Sequence, residues 1–126
     1  MGKEIILTPN APAPQGAYSQ AVKANGFIYV SGQIPVDNAT GMIVAEGVHK
    51  ETRIVIDNIE AILKAAGSGL DKVVKLGVFL TKIEDIKFIN EVLMERFKDG
   101  LPARTTVQVS RLPKDINVEI DAIATE

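Results

Sequence analysis

The sequence predicts an α+β fold, in which one mixed β-sheet carries two helices on a single face. Two apolar stripes at helical spacing, separated by short runs of strand character, indicate the helices. The Asn25-Gly26 pair indicates a β-hairpin, and helices between successive strands indicate parallel crossovers. With 126 residues the chain has the size of one domain, which we place at residues 1–126.

Strands and loops are predicted in the first third of the chain. After a first short strand, Pro9–Pro14 holds three prolines and indicates an extended loop. Two runs of strand character follow at Ala17–Ala24 and Phe27–Gly32, and Asn25-Gly26 between them suits a tight type I′ turn. Pro35–Gly47 is rich in Gly, Asn, Asp and Thr, which predicts a long loop with room for a short strand at Met42–Val44.

Two helices flank a strand in the middle of the chain. Apolar residues at steps of three and four predict a helix at about residues 48–66. Val73–Leu80 is rich in β-branched residues and predicts a strand. A second apolar stripe predicts a helix at about residues 83–98, with Thr81 and Glu84 at the spacing of a capping box.

The last two strands are predicted at Thr105–Ser110 and Asn117–Ala124, with Pro113 in the connection between them. The element order is therefore β-ββ-α-β-α-β-β. From the alternation of side chains along a strand, the residues expected to face the helices are Val74, Leu76, Val78, Leu80, Val118, Ile120, Ala122 and Ala124. Those expected on the helix-free face are Lys75, Gly77, Thr106, Gln108, Glu119, Asp121 and Ile123. Such a face is a candidate for contact between copies of the chain.

Composition argues against several classes of function. A net charge of -2 lacks the basic excess of a dedicated nucleic-acid binder. There is no cysteine and His49 is the only histidine, so we expect no metal site, no thiol chemistry and no serine triad. No run approaches the roughly 18 apolar residues of a membrane helix. We expect a cytoplasmic protein, or a mitochondrial one if it is processed in a eukaryotic cell.

Two charged residues are candidates for a carboxylate-binding and water-activating pair. Arg104 stands at the start of a predicted strand, where its fork of donors suits a small carboxylate. Glu119 lies in an otherwise apolar strand, where burial would raise its pKa toward that of a general base. Plainer interpretations stay open, namely a surface ion pair for Arg104 and a solvated strand face for Glu119.

The predicted hairpin brings a second group of candidates together. Pairing across the turn places Tyr18 opposite Gln33, so Tyr18 and Ser31-Gly32 reach the same edge. The glycine lets a ligand approach the backbone, and the tyrosine offers a hydroxyl that can orient it. A purely structural hairpin end is the alternative.

The chain resembles the RidA/YjgF family of reactive-intermediate deaminases along nearly its whole length. The segments that carry the resemblance are Ala17-Tyr18-Ser19-Gln20-Ala21, Tyr29-Val30-Ser31-Gly32-Gln33-Ile34, Asn58–Gly67, Val73-Val74-Lys75, Asn90-Glu91-Val92, Pro102-Ala103-Arg104, Arg111-Leu112-Pro113 and Glu119-Ile120-Asp121-Ala122-Ile123-Ala124. The resemblance implies a chorismate-mutase-like fold and a homotrimer, in which the sheets form a trimeric barrel with clefts between subunits.

The resemblance also implies an activity. Proteins of this kind hydrolyse 2-iminopropanoate and 2-iminobutanoate to 2-oxo acids and ammonia, without a cofactor. These imines arise from enamines that pyridoxal-phosphate-dependent serine and threonine dehydratases release. The implied partners are therefore a small 2-imino acid, further copies of the chain and a functional link to such dehydratases.

Matched positions imply a role for individual residues. Arg104 matches the carboxylate-binding arginine, Glu119 the glutamate that positions water, and Tyr18 a tyrosine of the cleft, and these three form the catalytic set. The matched substrate-binding positions are Ser31, Gly32, Asn90, Arg104 and Thr106. Thr106 stands where many members have cysteine, and Asp121 stands where a second glutamate is frequent.

Two other functions stay open. The protein could bind 2-oxo acids without turnover, since Arg104 could serve recognition alone. Endoribonuclease activity or inhibition of translation is reported for some relatives of this kind. The acidic charge and an aromatic content of only 5% argue against RNA as a partner.

Overall fold

The protein is described by a computed structural model that covers residues 2–126. Six strands form one twisted sheet, and two very short strands form a separate hairpin. The strands are β1 (Glu4–Ile6), β2 (Ala21–Ala24), β3 (Phe27–Gln33), β4 (Val36–Asp37), β5 (Met42–Ile43), β6 (Val73–Leu80), β7 (Ala103–Gln108) and β8 (Val118–Thr125), and the helices are α1 (Val48–Ala65) and α2 (Ile86–Arg96).

The strand order in the main sheet is β1-β2-β3-β8-β6-β7. β6 and β7 are parallel and α2 connects them, whereas the other neighbours are antiparallel. β3 and β6 both run antiparallel to β8 and therefore run in the same direction, with α1 between them in the chain. The two helices pack on each other and on one face of this sheet. The predicted α+β class is confirmed, and so is the order of the helices and the main-sheet strands; the structure adds the short hairpin β4–β5, whose second strand matches the short strand expected at Met42–Val44.

The predicted hairpin forms at Asn25 and Gly26, whose φ angles of 52° and 83° are those that a type I′ turn needs. Its first strand is shorter than expected, because β2 begins at Ala21 and not at Ala17. The hairpin register stops at the pair Ala21–Val30, so the predicted ladder partnership of Tyr18 with Gln33 is wrong.

The buried side chain of Gln20 explains the late start of β2. Its Oε1 accepts a hydrogen bond from the Thr8 N–H at 2.7 Å. Its Nε2 donates to the carbonyl oxygens of Thr8, Ala11 and Pro12 at 3.1, 3.3 and 3.0 Å. Gln20 therefore satisfies the backbone of the proline-rich loop, and the chain just before it bends instead of extending the ladder.

The second helix also begins later than predicted. Ile83–Asp85 is a short 3-10 turn, and α2 begins at Ile86. No side-chain capping bond forms at this helix start, so the predicted capping box of Thr81 and Glu84 is wrong. Instead, the Ile83 N–H donates to Gln108 Oε1 at 2.9 Å, a bond that a residue on β7 supplies.

The helix-facing residues of β8 were predicted correctly. Val118, Ile120, Ala122 and Ala124 are buried and form the floor of the core beneath α1. On β6, Leu76, Val78 and Leu80 are also buried as expected, but Val74 is 44% exposed. The register of β6 against β8 shifts between Val73 and Lys75, so a bulge turns Val74 outward and Val73 takes the core position.

The predicted facing of β7 is wrong. Its residues Arg104, Thr106 and Gln108 lie beside Leu76, Val78 and Leu80 in the parallel ladder, so all three are on the helix side. Thr105 and Val107 are the residues that share the helix-free face with Gly77 and Phe79. β7 also begins at Ala103 and ends at Gln108, two residues earlier at each end than predicted. We call the helix-free side of the sheet the open face.

A buried carboxylate connects the start of α1 to the start of β8. Glu51 is 1% exposed, and its Oε2 accepts a hydrogen bond from the Gly47 N–H at 3.0 Å. The Asn117 side-chain amide donates to Glu51 Oε1 at 3.1 Å. Because Asn117 directly precedes β8, this contact helps to fix the strand that carries Glu119.

Candidate active site

Arg104 lies beside a cavity on the helix side of the sheet. Its Nη1 donates to Asn90 Oδ1 on α2 at 2.8 Å, which holds the guanidinium in one orientation. The cavity has a volume of about 410 Å³, and Arg104 and Asn90 are its polar lining residues. The other lining residues are Leu76, Leu93, Met94, Leu101 and Pro102. Asn90, a predicted substrate-binding position, therefore contacts Arg104 directly.

Arg104 differs from the three other arginines in its partners. Arg53 pairs with Glu95, Arg96 with Asp57 and Glu60, and Arg111 with Asp115. Within residues 2–126, Arg104 is the arginine that has no carboxylate within 4.0 Å. The plain interpretation of Arg104 as a surface ion pair is therefore wrong for the described chain. Its remaining N–H donors can meet an anion from outside the chain.

Glu119 lies at a second cavity, of about 470 Å³, on the open face. Tyr18, Ser31 and Gly32 also line this cavity, so the structure brings together four of the predicted site residues. The convergence of Tyr18 with Ser31-Gly32 is confirmed, although a bend and not a strand carries Tyr18. The remaining lining residues are Gln15, Ile34, Pro113 and Lys114.

Gly32 leaves room for the Glu119 side chain, which lies against it. A Cβ atom added at Gly32 would overlap the Glu119 carboxylate and come within 2.9 Å of its Cδ. The register of β3 against β8 shifts between Val30 and Gln33, and this bulge lets both Ser31 and Gly32 reach the cavity. The sequence suggested a ligand approaching Gly32, but in the folded chain a side chain of the protein does so.

Glu119 has the electrostatic setting of a proton acceptor. Burial raises its pKa above the ordinary value of 4.5, and the negative charge of Asp121 raises it further. Burial also raises the pKa of Asp121, while hydrogen bonds from the backbone of Gly77 and Asp121 and the charge of Lys75 lower it. Because Glu119 is partly buried, the plain interpretation of it as a freely solvated strand residue is wrong.

The two hydroxyl groups of this cavity have different partners. Tyr18 Oη accepts a hydrogen bond from the Gln15 N–H at 3.2 Å, which leaves its own O–H free to donate. Ser31 Oγ donates to the carbonyl oxygen of Ser19 at 2.6 Å, so its proton serves the backbone of the loop. Ser31 is thus at the predicted site, while Tyr18 is the hydroxyl that remains available as a donor.

The sequence did not reveal the contribution of the loop before β8. Pro113 and Lys114 line the Glu119 cavity, although the sequence indicated only a connection between strands there. Lys114 and Asp115 have φ angles of 58° and 56°, a left-handed conformation that is unfavourable for residues other than glycine. Arg111 holds this loop through two hydrogen bonds to Asp115, at 2.6 and 3.1 Å.

Thr106 is the predicted site residue that lines neither of these two cavities. It lies on the same side of β7 as Arg104, and its Oγ1 is buried without a hydrogen-bond partner in the described chain. A buried hydroxyl without a partner is uncommon in folded proteins. The side chain is therefore close to the candidate site, but it does not contact the cavities that the chain forms.

Arg104 and Glu119 lie on opposite faces of the sheet, so one chain does not join them. Arg104 is level with Leu76 on the helix side, whereas Glu119 is level with Phe79 on the open face. Arg104 is on the edge strand β7, and Glu119 is two strands away on β8.

Neither helix of the described chain is long and apolar enough to span a membrane. Among residues 2–126 no three His, Asp or Glu side chains gather as metal ligands.

Comparisons with known proteins agree on one family. The family model described as endoribonuclease L-PSP matches residues 8–126. A RutC family protein of Pyrococcus horikoshii is 52% identical over 122 residues, which cover 97% of each chain. The rat protein named 2-iminobutanoate/2-iminopropanoate deaminase is 45% identical over 124 residues, which cover 98% of this chain and 90% of the rat chain.

A solved structure extends the match to the fold. A protein of the conserved Rid family from Yersinia pestis superposes with a TM-score of 0.96 at 45% identity, and covers 99% of this chain and 100% of its own. At this identity the likeness concerns sequence as well as architecture. The chain belongs to the RidA family, which the endoribonuclease L-PSP model describes.

Proposed function

We propose that the protein is a deaminase that hydrolyses 2-iminopropanoate and 2-iminobutanoate to 2-oxo acids and ammonia. The observation that carries this proposal is Arg104, the arginine that has no carboxylate partner, beside a cavity of small-molecule size. A planar fork of N–H donors recognises a carboxylate by two parallel hydrogen bonds. The name of the rat relative supports the choice of substrate.

The chemistry requires a bound water and a proton acceptor. Arg104 holds the substrate carboxylate, and a water adds its oxygen to the electrophilic C=N carbon while Glu119 accepts the proton of the water. Glu119 returns this proton to the nitrogen, which gives a carbinolamine. Glu119 then transfers the proton of the carbinolamine hydroxyl to the amino group, so that ammonia leaves as the C=O bond forms and the carboxylate is regenerated. Tyr18, with its O–H free to donate, can hydrogen bond to the reacting nitrogen or oxygen. The raised pKa of Glu119 brings this carboxylate closer to the range of a useful base.

The proposal requires a second copy of the chain. The open face carries Phe27, Tyr29 and Val107, which are 40%, 46% and 40% exposed, beside the half-buried carboxylates. Exposed aromatic and branched residues on a sheet face favour contact with another protein surface. We propose that copies associate through this face as a homotrimer, so that Arg104 of one copy approaches Glu119 of the next. A particle of about three times the 13.6 kDa chain mass in light scattering would support this arrangement.

The activity is tested by coupling the protein to a threonine dehydratase, which releases the precursor of 2-iminobutanoate. We expect addition of the protein to accelerate formation of 2-oxobutanoate and ammonia from the released imine, above the uncatalysed rate. The dehydratase should also lose less activity during turnover, because the reactive intermediate is removed. An unchanged rate of imine loss over a range of protein concentrations would overturn the proposal.

Binding without turnover is separated from catalysis by a variant. Glu119→Gln keeps the shape of the side chain but removes the proton acceptor. We expect this variant to bind 2-oxobutanoate but no longer to accelerate imine hydrolysis. Equal rates for the wild type and the variant would instead favour a module that only binds 2-oxo acids.

The description of the family model favours one other candidate, cleavage of RNA. The net charge of -2 provides no excess of phosphate-binding residues. The single histidine, His49, lies on α1 and lines neither the Arg104 cavity nor the Glu119 cavity. Incubation with a labelled RNA at moderate salt tests this candidate. Cleavage that is lost in Arg104→Ala would favour it over the deaminase.

A further inference from the structure

The Arg104 cavity has one polar end and an otherwise apolar wall. Leu76 and Leu93 form its base and are 0% and 2% exposed. Met94 and Leu101 stand at its rim and are 65% and 62% exposed, although both are large apolar side chains. Exposed apolar residues are ordinary when isolated, but here two of them continue a buried apolar base up to an arginine. This combination suits a ligand that carries a carboxylate at one end and an apolar group at the other.

The positions of Met94 and Leu101 relative to Arg104 follow from α2 and from the turn after it. Met94 lies four residues after Asn90 on α2 and therefore on the same side of the helix as the residue that holds the guanidinium. Leu101 follows Gly100, whose φ of 146° is a conformation that favours glycine, in the turn after α2. Both side chains are thus positioned by the elements that position Arg104.

We propose that Met94 and Leu101 form a subsite for the side chain of the substrate, which favours 2-imino acids with longer apolar side chains. This inference rests on the proposed deaminase function. A carboxylate held by Arg104 is one bond from the C=N carbon, and the side chain begins at the next bond. A cavity of about 410 Å³ offers more space than a methyl or ethyl group fills. An isobutyl side chain, as in the imine formed from leucine, would contact the wall.

The expected size of the preference follows from the area that such a side chain buries. Each methylene removed from water is worth up to about a fourfold change in affinity, and a partly exposed rim gives less. The isobutyl imine has two more carbons than 2-iminobutanoate. We therefore expect the wall to favour the longer substrate by about fivefold to tenfold in kcat/KM.

The test compares two substrates in the same variants. An amino-acid oxidase acting on leucine supplies the isobutyl imine, and threonine dehydratase supplies 2-iminobutanoate. Met94→Gln preserves the length and helix propensity of the side chain while it replaces the apolar surface with an amide. Leu101→Asn makes the same change from an apolar group to an amide in the turn after α2. Met42→Gln is the matched control, because Met42 is 67% exposed and lines neither the Arg104 cavity nor the Glu119 cavity.

We expect Met94→Gln and Leu101→Asn each to lower the ratio of kcat/KM for the isobutyl imine to that for 2-iminobutanoate by about threefold to fivefold. Met42→Gln should keep the wild-type ratio. An unchanged ratio in both rim variants would overturn the subsite. A smaller particle mass of either variant in light scattering would also overturn it, because the rim would then pack against another copy. Failure of the wild type to accelerate either hydrolysis would instead refute the deaminase function.

Discussion

The two faces of the central sheet are built from the same strands but serve different purposes. On the helix side, β8 contributes Val118 and Ile120, which are fully buried and stabilise the core. On the open face, the same strand contributes Glu119 and Asp121, whose carboxylates lie over glycines of the neighbouring strands. The alternation of a single strand thus separates residues of the core from the carboxylate of the candidate site. A substitution on one face should therefore affect a different measurement from a substitution on the other.

The edge strand β7 is the exception to this division. It presents Arg104 on the helix side, next to α2, while the other charged candidate is on the open face. Arg104 and Glu119 therefore lie on opposite faces of one chain, and in the proposed site a second copy brings them together. Variants of Arg104 and of Glu119 test the two halves of this site separately.

Loss of Arg104, which lies on the helix side of the sheet, should abolish recognition of the substrate carboxylate. We expect Arg104→Ala to lower kcat/KM for 2-iminobutanoate by about 10² to 10³-fold, because the substrate carboxylate loses its charged partner. Steady-state rates in the dehydratase-coupled assay give this value. Arg53→Ala removes an arginine that pairs with Glu95 on the outer helix surface and should keep wild-type activity. An equal loss in both variants would indicate a general effect of charge or folding.

Loss of the Glu119 carboxylate should remove the proton acceptor of the open-face half. We expect Glu119→Gln to lower kcat by about 10²-fold, within the range of general-base catalysis. The wild-type rate should fall as the pH drops through the raised pKa of Glu119, above the ordinary value of 4.5, because protonation inactivates the base. The variant should lack this acidic limb. An identical pH profile for both proteins would contradict the role of Glu119 as the base.

Glu119→Gln should stabilise the folded protein, although it lowers kcat. The raised pKa means that the charged form of Glu119 is disfavoured in the folded chain, so its contribution to stability decreases as the pH rises through that pKa. Glu119→Gln should therefore raise Tm at pH 7, and the gain should vanish at a pH below about 4, where the wild-type carboxyl is also neutral. Calorimetry at the two pH values provides the measurement.

A smaller effect is expected from substitution of Gly32, which lies beneath Glu119. Gly32→Ala would place a Cβ atom against the carboxylate, so we expect a shifted Glu119 and a kcat lowered about tenfold, with little change in KM. Gly77→Ala creates the same kind of overlap beneath Asp121, which has no proposed catalytic role. A loss of kcat that is as large in Gly77→Ala would show that overpacking alone explains the result.

The smallest effect is expected at Thr106. Its buried Oγ1 has no hydrogen-bond partner in the described chain, so replacement by the isosteric Val removes an unsatisfied group. We expect Thr106→Val to increase the free energy of unfolding by up to about 1 kcal/mol, as measured by urea titration. A clear loss of stability would mean that the hydroxyl has a partner in the assembled protein.

Local rules predicted much of the fold from the sequence. The Asn25-Gly26 turn, the helix that begins at Val48 and the strand Val73–Leu80 all depend on neighbours in sequence, and the structure confirms them. The facing of Val74 and of β7 depends on register with distant strands, where a bulge and a parallel pairing decide the outcome. Neither the bulge nor the parallel register can be recognised from the residues next to it in the sequence.

The candidate site shows the same limit. Residue type and strand pattern made Arg104 and Glu119 candidates, and the family resemblance implied their roles, which stay predictions. The separation of the two residues could not be inferred from the sequence, because it follows from the register of the edge strand. The lining by Lys114 also depends on an unusual backbone conformation, which Arg111 and Asp115 stabilise from outside the cavity.

We propose that Arg104 of one copy and Glu119 of another form one site, and mixed oligomers test this pairing directly. Arg104→Ala and Glu119→Ala should each inactivate every site when present alone. Unfolding and refolding an equal mixture of the two should form oligomers in which some sites combine an intact Arg104 with an intact Glu119. We predict recovery of about a quarter of the wild-type activity, since half of the copies carry each intact residue. Activity no greater than the sum of the separate variants, in mixtures shown to contain both chains, would contradict a site shared between copies.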